Sequence, residues 1–319
     1  MKEKEYVFSY SLDNKRYHTL NFHNRTVYGG RVSKAVIDAG FTCPNKDGTK
    51  GTGGCIYCMD GSGYFTVAYG GNIYDSVQRQ LSAEKERIFK KYPDSMIIAY
   101  FQANTNTYAP VETLRSAFTA ALDFGVTGIS IGTRADCLPD DIIGLLSQLN
   151  SKTHLTVELG LQTVHDRTAA VINRCYDYRE FLSGYEKLRN ADIRTCLHII
   201  NGLPGETKAD MLDTAREVAR LYPDAVKIHL LHVNSNTALE QMYLSGEYIP
   251  LSREEYIEIV ISQLEYLPQD IVIERVTGDA DKKYLVAPKW SADKIAVLGG
   301  IDRQMKLRDT YQGIKADAM

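Results

Sequence analysis

Three of the six cysteines of this 319-residue chain lie within sixteen residues, at positions 43, 55 and 58. In a cytosolic protein of this size, cysteines crowded in this way are typical of metal ligands and not of a disulfide framework. The intervening segment carries glycines at 48, 51, 53 and 54, which supply positive φ angles and absent side chains, so that backbone can wrap closely around an inorganic group. We call residues 43–58 the cysteine loop.

Two kinds of metal centre fit these ligands. Three thiolates can hold three irons of a cuboidal 4Fe-4S cluster and leave one iron open, which can then chelate an amino and a carboxylate group of a ligand. A structural zinc ion needs a fourth ligand, usually Cys or His at short spacing, and none follows Cys58. His18 and His23 lie upstream and could fold back, so the loop alone leaves zinc open.

The composition excludes several other classes of protein. With 44% hydrophobic and 24% charged residues, the chain has the content of a globular protein. A net charge of −3 and a pI near 6.2 exclude a generally basic, nucleic-acid-coating surface. No apolar run approaches the ~20 residues that span a bilayer, and the N-terminus MKEKEYVFSY lacks the apolar core of a secretory signal. These features predict a cytoplasmic protein without a membrane segment.

Apolar runs alternate with amphipathic stretches, which is typical of strand–helix units around a parallel sheet. The predicted strands are at 31–39, 95–102, 126–132, 155–162, 193–201 and 226–233, and the helices at 73–91, 111–124, 140–149, 178–190 and 208–221. The predicted fold is therefore α/β, a partial (βα)6 TIM-like barrel over residues 31–236, after a polar leader at 1–30. The cysteine loop follows the first strand, at the edge where such barrels carry their chemistry.

Residues 237–319 have a different pattern and are predicted to form a C-terminal α/β extension. It should contain helices, a strand pair at 271–276 and 283–287, and a last helix at 292–308. No Pro-rich or Ser-rich linker precedes it, so we expect it to pack on the barrel or to cover its opening.

Several segments resemble one known family. The cysteine spacing, Tyr57 directly before the last cysteine and the following GSGYF look like the radical S-adenosylmethionine (SAM) superfamily. Within that superfamily, the chain resembles the elongator-like branch, and in it the small bacterial YhcC/YtqA type. The segments that carry this resemblance are DAGFTCPNKDGTKGTGGCIYC, FQANTNTYAP, ELGLQTVHD, HIINGLPGET and VKIHLLHV. The resemblance spans nearly the whole chain. It implies a barrel of the radical SAM type in which Cys43, Cys55 and Cys58 hold a 4Fe-4S cluster that binds SAM.

The chemistry implied by the resemblance is a one-electron reduction of SAM, which gives methionine and a 5'-deoxyadenosyl radical that abstracts a hydrogen atom from a substrate. A flavodoxin or ferredoxin-type reductant is implied as well. Elongator-like relatives modify the wobble uridine of tRNA, so tRNA is the implied partner. Two alternatives stay open: a radical SAM enzyme acting on a small, tetrapyrrole-like molecule, and a zinc-stabilised binding module without catalysis.

The resemblance also assigns contacts with SAM, mostly to residues at the strand ends. Gln162 and His198 would face the ribose, Arg174 would hold the methionine carboxylate in a charge-assisted pair, and the turn at 202–205 would expose backbone to the adenine. Taken alone, Arg174 would be expected at the surface, and the turn would be a plain strand-to-helix connection. The full predicted set is Tyr57, Gln102, Asn104, Thr105, Thr133, Arg134, Glu158, Gln162, Arg174, His198, Gly202, Pro204 and Gly205.

Other residues have weaker signals. Basic and aromatic side chains near both termini could contact tRNA phosphates and bases, although a solvated charged face explains them equally well. They are Lys15, Arg16, Arg25, Arg31, Lys34, Arg303, Lys306, Arg308 and Lys315, with Tyr17, Phe22 and Tyr28 between those of the leader. Cys137, Cys175 and Cys196 are scattered singly, which favours buried free thiols over an auxiliary cluster.

Overall fold

The computed structural model describes residues 8–11, 13, 15–59, 70–102, 104–279 and 281–316. The strands are β1 Val32–Ile37, β2 Met96–Phe101, β3 Gly128–Thr133, β4 His154–Gln162, β5 Arg194–Asn201, β6 Ala225–Leu230, β7 Val233–Asn234, β8 Val272–Arg275 and β9 Leu285–Ala287. The α-helices are α1 Leu20–Tyr28, α2 Ile73–Lys91, α3 Val111–Asp123, α4 Asp140–Asn150, α5 Asp166–Val171, α6 Tyr178–Asn190, α7 Lys208–Leu221, α8 Ala238–Leu244, α9 Arg253–Tyr266 and α10 Lys294–Leu307.

Seven strands form one sheet in the order β1-β2-β3-β4-β5-β6-β8. Strands β1 to β4 pair in parallel with their neighbours, and β8 pairs in parallel with β6. Most connections between consecutive parallel strands contain a helix, as parallel pairing requires. The predicted α/β fold class with a parallel sheet is therefore confirmed, and β8 is one strand more than the six that were expected.

The described residues divide into two compact units. The first, which we call the β1–β4 unit, comprises the described residues of Asn24–Leu161 and Asn173–Cys196. The second, the β6–β8 unit, comprises the other described residues. The cysteine loop belongs to the first unit and the turn at 202–205 to the second.

The core of the β1–β4 unit consists of alternating strand residues and the helices that cover them. Ala35, Ala99, Ile131 and Val157 have no exposed surface, and the strand register places all four on the same face of the sheet. The rings of Phe101 in β2 and Phe118 in α3 meet edge to face with centroids 5.1 Å apart. Such contacts hold the strand ends, and therefore the loops that follow them, in fixed positions.

One close approach brings α6 next to the segment that follows β3. A Cβ atom at Gly184 of α6 would lie only 2.1 Å from the carbonyl oxygen of Ala135. Glycine at 184 therefore allows the helix to touch the short 3-10 helix Ala135–Cys137. As a result, Glu180 of α6 lies near Asp136, and both carboxylates are next to the cysteine loop.

The β6–β8 unit contains the second part of the sheet and its helices. Thr207 caps α7 through a reciprocal pair of hydrogen bonds with Asp210, and Ser252 caps α9 in the same way with Glu255. The short strand β7 pairs antiparallel with β9. No helix in the described part of the chain has the length and apolar content needed to cross a bilayer.

The element boundaries agree closely with the predictions, with one correction. Helices α2, α6 and α7 have their predicted bounds, whereas β3 begins two residues late and β6 ends three residues early. The strand pair predicted at 271–276 and 283–287 is wrong, because β8 joins β6 and β9 joins β7. Val272 and Ile273 are buried. Pairing with β6 in the large sheet buries these side chains better than pairing with another short strand in an isolated hairpin would. Helices α1 and α5 have no counterpart in the prediction.

Candidate functional site

The cysteine loop closes on itself through backbone hydrogen bonds. Each of two cysteines begins a turn. The carbonyl of Cys43 accepts a hydrogen bond from the amide of Lys46 at 2.8 Å, and the carbonyl of Cys55 accepts one from the amide of Cys58 at 2.9 Å. The amide of Gly54 donates to the carbonyl of Asn45 at 2.8 Å, which joins the two turns. The glycines at 48, 53 and 54 have positive φ angles, as the sequence predicts for such a path. Residues that are twelve apart in the chain are thus brought into one small structure.

Asn45 and Gly51 fill the inside of this loop. The buried Asn45 amide donates from Nδ2 to Cys55 Sγ at 3.6 Å and to the carbonyl of Asn173. A Cβ atom at Gly51 would lie 2.3 Å from Asn45 Oδ1 and 2.7 Å from Cys175 Sγ. Glycine at 51 is therefore required for space and not for a positive φ angle.

The three thiols of the loop are free and partly exposed. A hydrogen bond from Cys58, together with the nearby charge of Arg134, outweighs burial and lowers the pKa of Cys55 to about 6. The Tyr57 hydroxyl and the Asn45 amide also donate to Cys55. The same bond to Cys55, and burial, raise the pKa of Cys58. Cys55 therefore ionises before Cys58.

A salt-bridge cluster anchors the loop to the end of β3. Arg134 binds the buried Asp136 carboxylate with two hydrogen bonds of 2.9 Å each. Lys50, in the middle of the loop, lies 2.8 Å from Asp136 and 3.2 Å from Glu180. Although burial opposes it, pairing with Arg134 and Lys50 lowers the pKa of Asp136. The loop is thus tied to two other segments by a network of fixed charges.

The segment after β2 supports the other side of the loop. Asn104, in a left-handed conformation, donates to the carbonyl of Phe41 at 2.8 Å and accepts from Lys46 Nζ at 3.3 Å. Thr105 is buried and its amide donates to the carbonyl of Thr42. These two residues of the predicted SAM set therefore position the loop, and Gln102 lies beside them at the end of β2.

Glu158 of β4 is the centre of a buried polar cluster. Its Oε1 accepts from Lys34 Nζ at 2.7 Å and Ser130 Oγ at 2.6 Å, and its Oε2 accepts from the Tyr100 hydroxyl at 2.8 Å. The Lys34 ammonium also lies over the Tyr100 ring, 4.7 Å from its centroid. We call these four side chains the Glu158 cluster. Each comes from a different strand of β1 to β4.

Arg174 is fully buried and does not lie at the surface, where an isolated arginine would be expected. Its Nε donates to the carbonyl of Tyr176 at 3.0 Å and its Nη1 to the carbonyl of Leu161 at 2.6 Å. The guanidinium groups of Arg174 and Arg134 both stack on the Tyr176 ring, at 4.5 and 4.7 Å from its centroid. Arg174 thus fixes the backbone where β4 ends.

The predicted SAM residues of the β6–β8 unit offer a different set of groups. Gln162 has a positive φ angle, and its Oε1 is buried without a hydrogen-bond partner among the described residues. The ring of His198 packs against that of His229 with centroids 5.1 Å apart. Gly202 has a φ of 86°, and its carbonyl accepts from the Tyr248 hydroxyl at 2.8 Å. Pro204 is buried and Gly205 is exposed in the same turn.

The other predicted residues have these positions. Thr133 is buried, with its hydroxyl 2.6 Å from that of Thr107. Cys137 and Cys196 are buried and Cys175 is partly exposed. Five of the basic residues proposed for tRNA are paired with carboxylates in the described structure, which leaves fewer of them to contact phosphates. They are Lys15, Arg16, Lys34, Arg308 and Lys315.

A cavity of about 770 Å³ lies beside the cysteine loop in the β1–β4 unit. Its lining includes Pro44 and Lys50 of the loop, Tyr108, Cys137 and Glu180. None of the residues predicted to contact SAM lines it. This cavity is therefore separate from the predicted SAM site.

The chemistry of the donor set fits an iron–sulfur cluster with an open iron. The loop offers three thiols, although the described residues contain no group of three or more His, Cys, Asp or Glu side chains already placed to hold a metal ion, and this finding includes the three cysteines. Zinc would need a fourth ligand. An ionisable thiol beside an arginine is also suited to a thiolate ligand.

Residues that the sequence analysis did not single out surround these thiols. They are Asn45, Lys50, Asp136 and Asn173. Asn45 stands inside the phrase that carries the family resemblance, and Asn173 stands directly before Arg174. The GSGYF phrase at 61–65 lies outside the described residues.

Comparison with known proteins agrees with these features. The profile described as Radical SAM superfamily matches residues 47–218, and that of the radical SAM C-terminal domain matches residues 223–307. The uncharacterised protein YtqA of Bacillus subtilis is 47% identical over 308 residues, which cover 96% of this chain and 94% of YtqA. This similarity confirms the resemblance to the YhcC/YtqA type.

Two more distant proteins add to this comparison, one through its sequence and one through its solved structure. The tRNA uridine(34) acetyltransferase of Methanocaldococcus jannaschii is 27% identical over 161 residues, which cover 50% of this chain and 29% of that protein. The solved structure of Elp3 from Methanocaldococcus infernus superposes with a TM-score of 0.64 at 16% identity, over 88% of this chain and 64% of that chain. The structural match shows a common fold.

The superfamily match covers more than half of the 319 residues. Together with the identity to YtqA over almost the whole chain, it shows that this protein belongs to the radical SAM superfamily, whose cofactors are a 4Fe-4S cluster and S-adenosylmethionine.

Proposed function

We propose that this protein is an enzyme that cleaves SAM reductively and uses the resulting radical to modify a uridine side chain of tRNA, with the wobble position as its target. The observation that carries the catalytic part is the cysteine loop. Its three cysteines belong to one hydrogen-bonded loop, next to a buried arginine. That donor set leaves one iron of a bound cluster open to SAM.

When bound, the cluster supplies the electron that splits SAM into methionine and a 5'-deoxyadenosyl radical. In this proposal Cys43, Cys55 and Cys58 ligate three of its irons. Arg134 offsets part of the negative charge of the thiolates, as its effect on the pKa of Cys55 indicates. Lys50 and Asp136 keep the loop in place against the end of β3.

The protein must also hold SAM in one orientation. Gln162 supports this role, because its buried Oε1 can accept a hydrogen bond from a ribose hydroxyl. The glycine turn at 202–205 offers backbone to a flat ring. For the other strand-end residues the SAM contacts remain predictions. Among them, Arg174 already donates to two backbone carbonyls, so it supports the proposal mainly through the position of β4.

The choice of tRNA rests on the relatives. The tRNA uridine(34) acetyltransferase is similar to half of this chain, and Elp3 of Methanocaldococcus infernus shares its fold over 88% of it. The acidic net charge and the internal pairing of several basic residues limit any docking of tRNA to local patches. A flavodoxin or ferredoxin-type reductant and a cytoplasmic location are parts of the same proposal.

The first test concerns the metal centre. Protein reconstituted without oxygen should be brown, should contain about four irons per chain, and should form 5'-deoxyadenosine when dithionite is added. Cys58→Ala should lose the iron and the colour, whereas Cys196→Ala, which removes a buried thiol in β5, should keep both. Colourless protein with stoichiometric zinc contradicts the proposal and supports the binding module.

The second test concerns the substrate. Nucleosides from digested tRNA should be compared by mass spectrometry between cells with and without the gene. We expect a wobble-uridine derivative to disappear in the deletion strain and to return with the wild-type gene but not with Cys58→Ala. An unchanged uridine profile rejects tRNA as the substrate while leaving SAM cleavage in place.

A further inference from the structure

We propose that Asn45 is a positioning residue that donates an N–H···S hydrogen bond to the Cys55 ligand and thereby raises the reduction potential of the cluster. This inference rests on the assignment of the three cysteines as ligands under Proposed function, and it does not depend on tRNA as the substrate.

The orientation of the Asn45 amide follows from its surroundings. Nδ2 faces two acceptors, Cys55 Sγ at 3.6 Å and the carbonyl oxygen of Asn173. The rotated amide would place Oδ1 against both of them, so the hydrogen-bond network selects the donor orientation. Asn45 has no exposed surface, and water therefore does not compete for the N–H groups.

Two neighbouring segments hold this amide in place. Asn173 donates from its own Nδ2 to the carbonyls of Gly54 and Thr52, at 2.8 and 3.3 Å. It adopts a left-handed φ of 55°, which asparagine tolerates better than most residues. Gly51 leaves the space that the Asn45 amide occupies, because any side chain there would begin 2.3 Å from Oδ1. The direction of the N–H group is therefore set before a cluster binds.

The effect of such a bond on the cluster follows from charge. Reduction adds one electron to a centre that is already anionic, and part of that charge lies on the ligand sulfurs. A donor dipole that points at Cys55 stabilises the reduced form more than the oxidised form. Because Asn45 has no exposed surface, its dipole is poorly screened by water. Removing the donor should make the cluster harder to reduce.

The main experiment compares Asn45→Leu with wild-type protein. Both are reconstituted, checked for iron, and titrated with redox mediators in the absence of SAM, with the EPR signal of the reduced cluster as the readout. We expect the midpoint of Asn45→Leu to shift to a more negative potential at unchanged iron content. An unchanged midpoint, or a positive shift, overturns the inference.

Asn106→Leu is the matched control. Asn106 is also buried in the β1–β4 unit, and its Nδ2 likewise has two acceptors, which here are the backbone carbonyls of Gly132 at 2.9 Å and Phe101 at 3.2 Å. It has no contact with a cysteine sulfur among the hydrogen bonds of the described residues. Its midpoint should equal that of the wild type, and an equal shift in both variants overturns the inference.

A second measurement needs no substitution and decides the question if Asn45→Leu does not retain a cluster. Wild-type protein labelled with 15N in asparagine side-chain amides should show a nitrogen coupling in the pulsed EPR spectrum of the reduced cluster. A reduced cluster without this coupling overturns the inference. Wild-type protein that binds no iron instead rejects the assignment of the cysteines, so the two failures are distinguishable.

Discussion

The cysteine loop and the Glu158 cluster lie in the same unit, and both contain buried charges, but they are built in different ways. The Glu158 cluster takes one side chain from each of four adjacent parallel strands. The cysteine loop is held by two segments far away in the sequence, at Arg134–Asp136 and Asn173–Cys175. Sheet geometry places the partners of Glu158, whereas irregular backbone places those of the loop.

The difference also concerns how charges are compensated. Glu158 has no exposed side-chain surface, and the Lys34 ammonium lies 2.7 Å from its carboxylate as a partner of opposite charge. Asp136 is buried as well, but it binds both Arg134 and Lys50. Removal of Lys34 takes a cation away from a fully buried carboxylate, whereas removal of Lys50 leaves Asp136 paired with Arg134, so we expect the larger loss of stability in the Glu158 cluster. Stability should depend on the first region, and cluster retention on the second.

The largest effect is expected for Lys34→Met. Removing the Lys34 cation from beside the buried Glu158 carboxylate should lower the free energy of unfolding by about 3–5 kcal/mol, measured by denaturant titration of the metal-free protein. The double variant Lys34→Met/Glu158→Gln removes both charges and should be clearly more stable than Lys34→Met alone. If the single and double variants have the same free energy of unfolding, the charge of Glu158 contributes little to the stability of this cluster.

A smaller loss is expected for Gly184→Ala, which tests how α6 positions Asp136. The added methyl group would meet the Ala135 carbonyl at 2.1 Å, so the helix or the 3-10 helix Ala135–Cys137 must move. Overpacking of this kind should destabilise the protein by about 1–3 kcal/mol. Because the movement displaces Asp136, reconstituted Gly184→Ala should also release iron to a chelator faster than the wild type.

Lys50→Met repeats the lysine substitution at the cysteine loop. Lys50 is one-third exposed and Asp136 keeps its two bonds to Arg134, so the free energy of unfolding should fall by only about 1 kcal/mol or less. Release of iron to a chelator should nevertheless become faster, and Lys50→Arg should restore the wild-type rate. A stability loss as large as that of Lys34→Met would remove the distinction between the two regions.

The smallest effect, and one of opposite sign, is expected for Gly144→Ala. Gly144 lies inside α4, and a Cβ atom there meets nothing within 4 Å. Alanine should stabilise the helix by about 0.5–1 kcal/mol because the unfolded chain loses flexibility. Iron content and release should not change, which makes this variant the control for Gly184→Ala.

Much of the fold could be predicted because the relevant signals are local. The alternation of apolar strands with amphipathic helices gave α2, α6 and α7 their observed bounds. The partners of β8 and β9 could not be obtained in this way, because a run of three or four residues does not specify which strand it joins. Only packing in the sheet buries Val272 and Ile273.

The same division applies to the candidate site. The three cysteines stand within sixteen residues of each other, so their number and spacing alone indicated a metal ligand set and, through the family resemblance, a 4Fe-4S cluster with SAM. What surrounds Cys55 was decided by tertiary structure. Asn45 and Asn173 are separated by 128 positions, and Lys50 meets both Asp136 after β3 and Glu180 of α6, the helix that Gly184 allows to approach Ala135. A sequence pattern reports local spacing, whereas the bonds that hold this loop depend on distant segments that only the folded chain brings together.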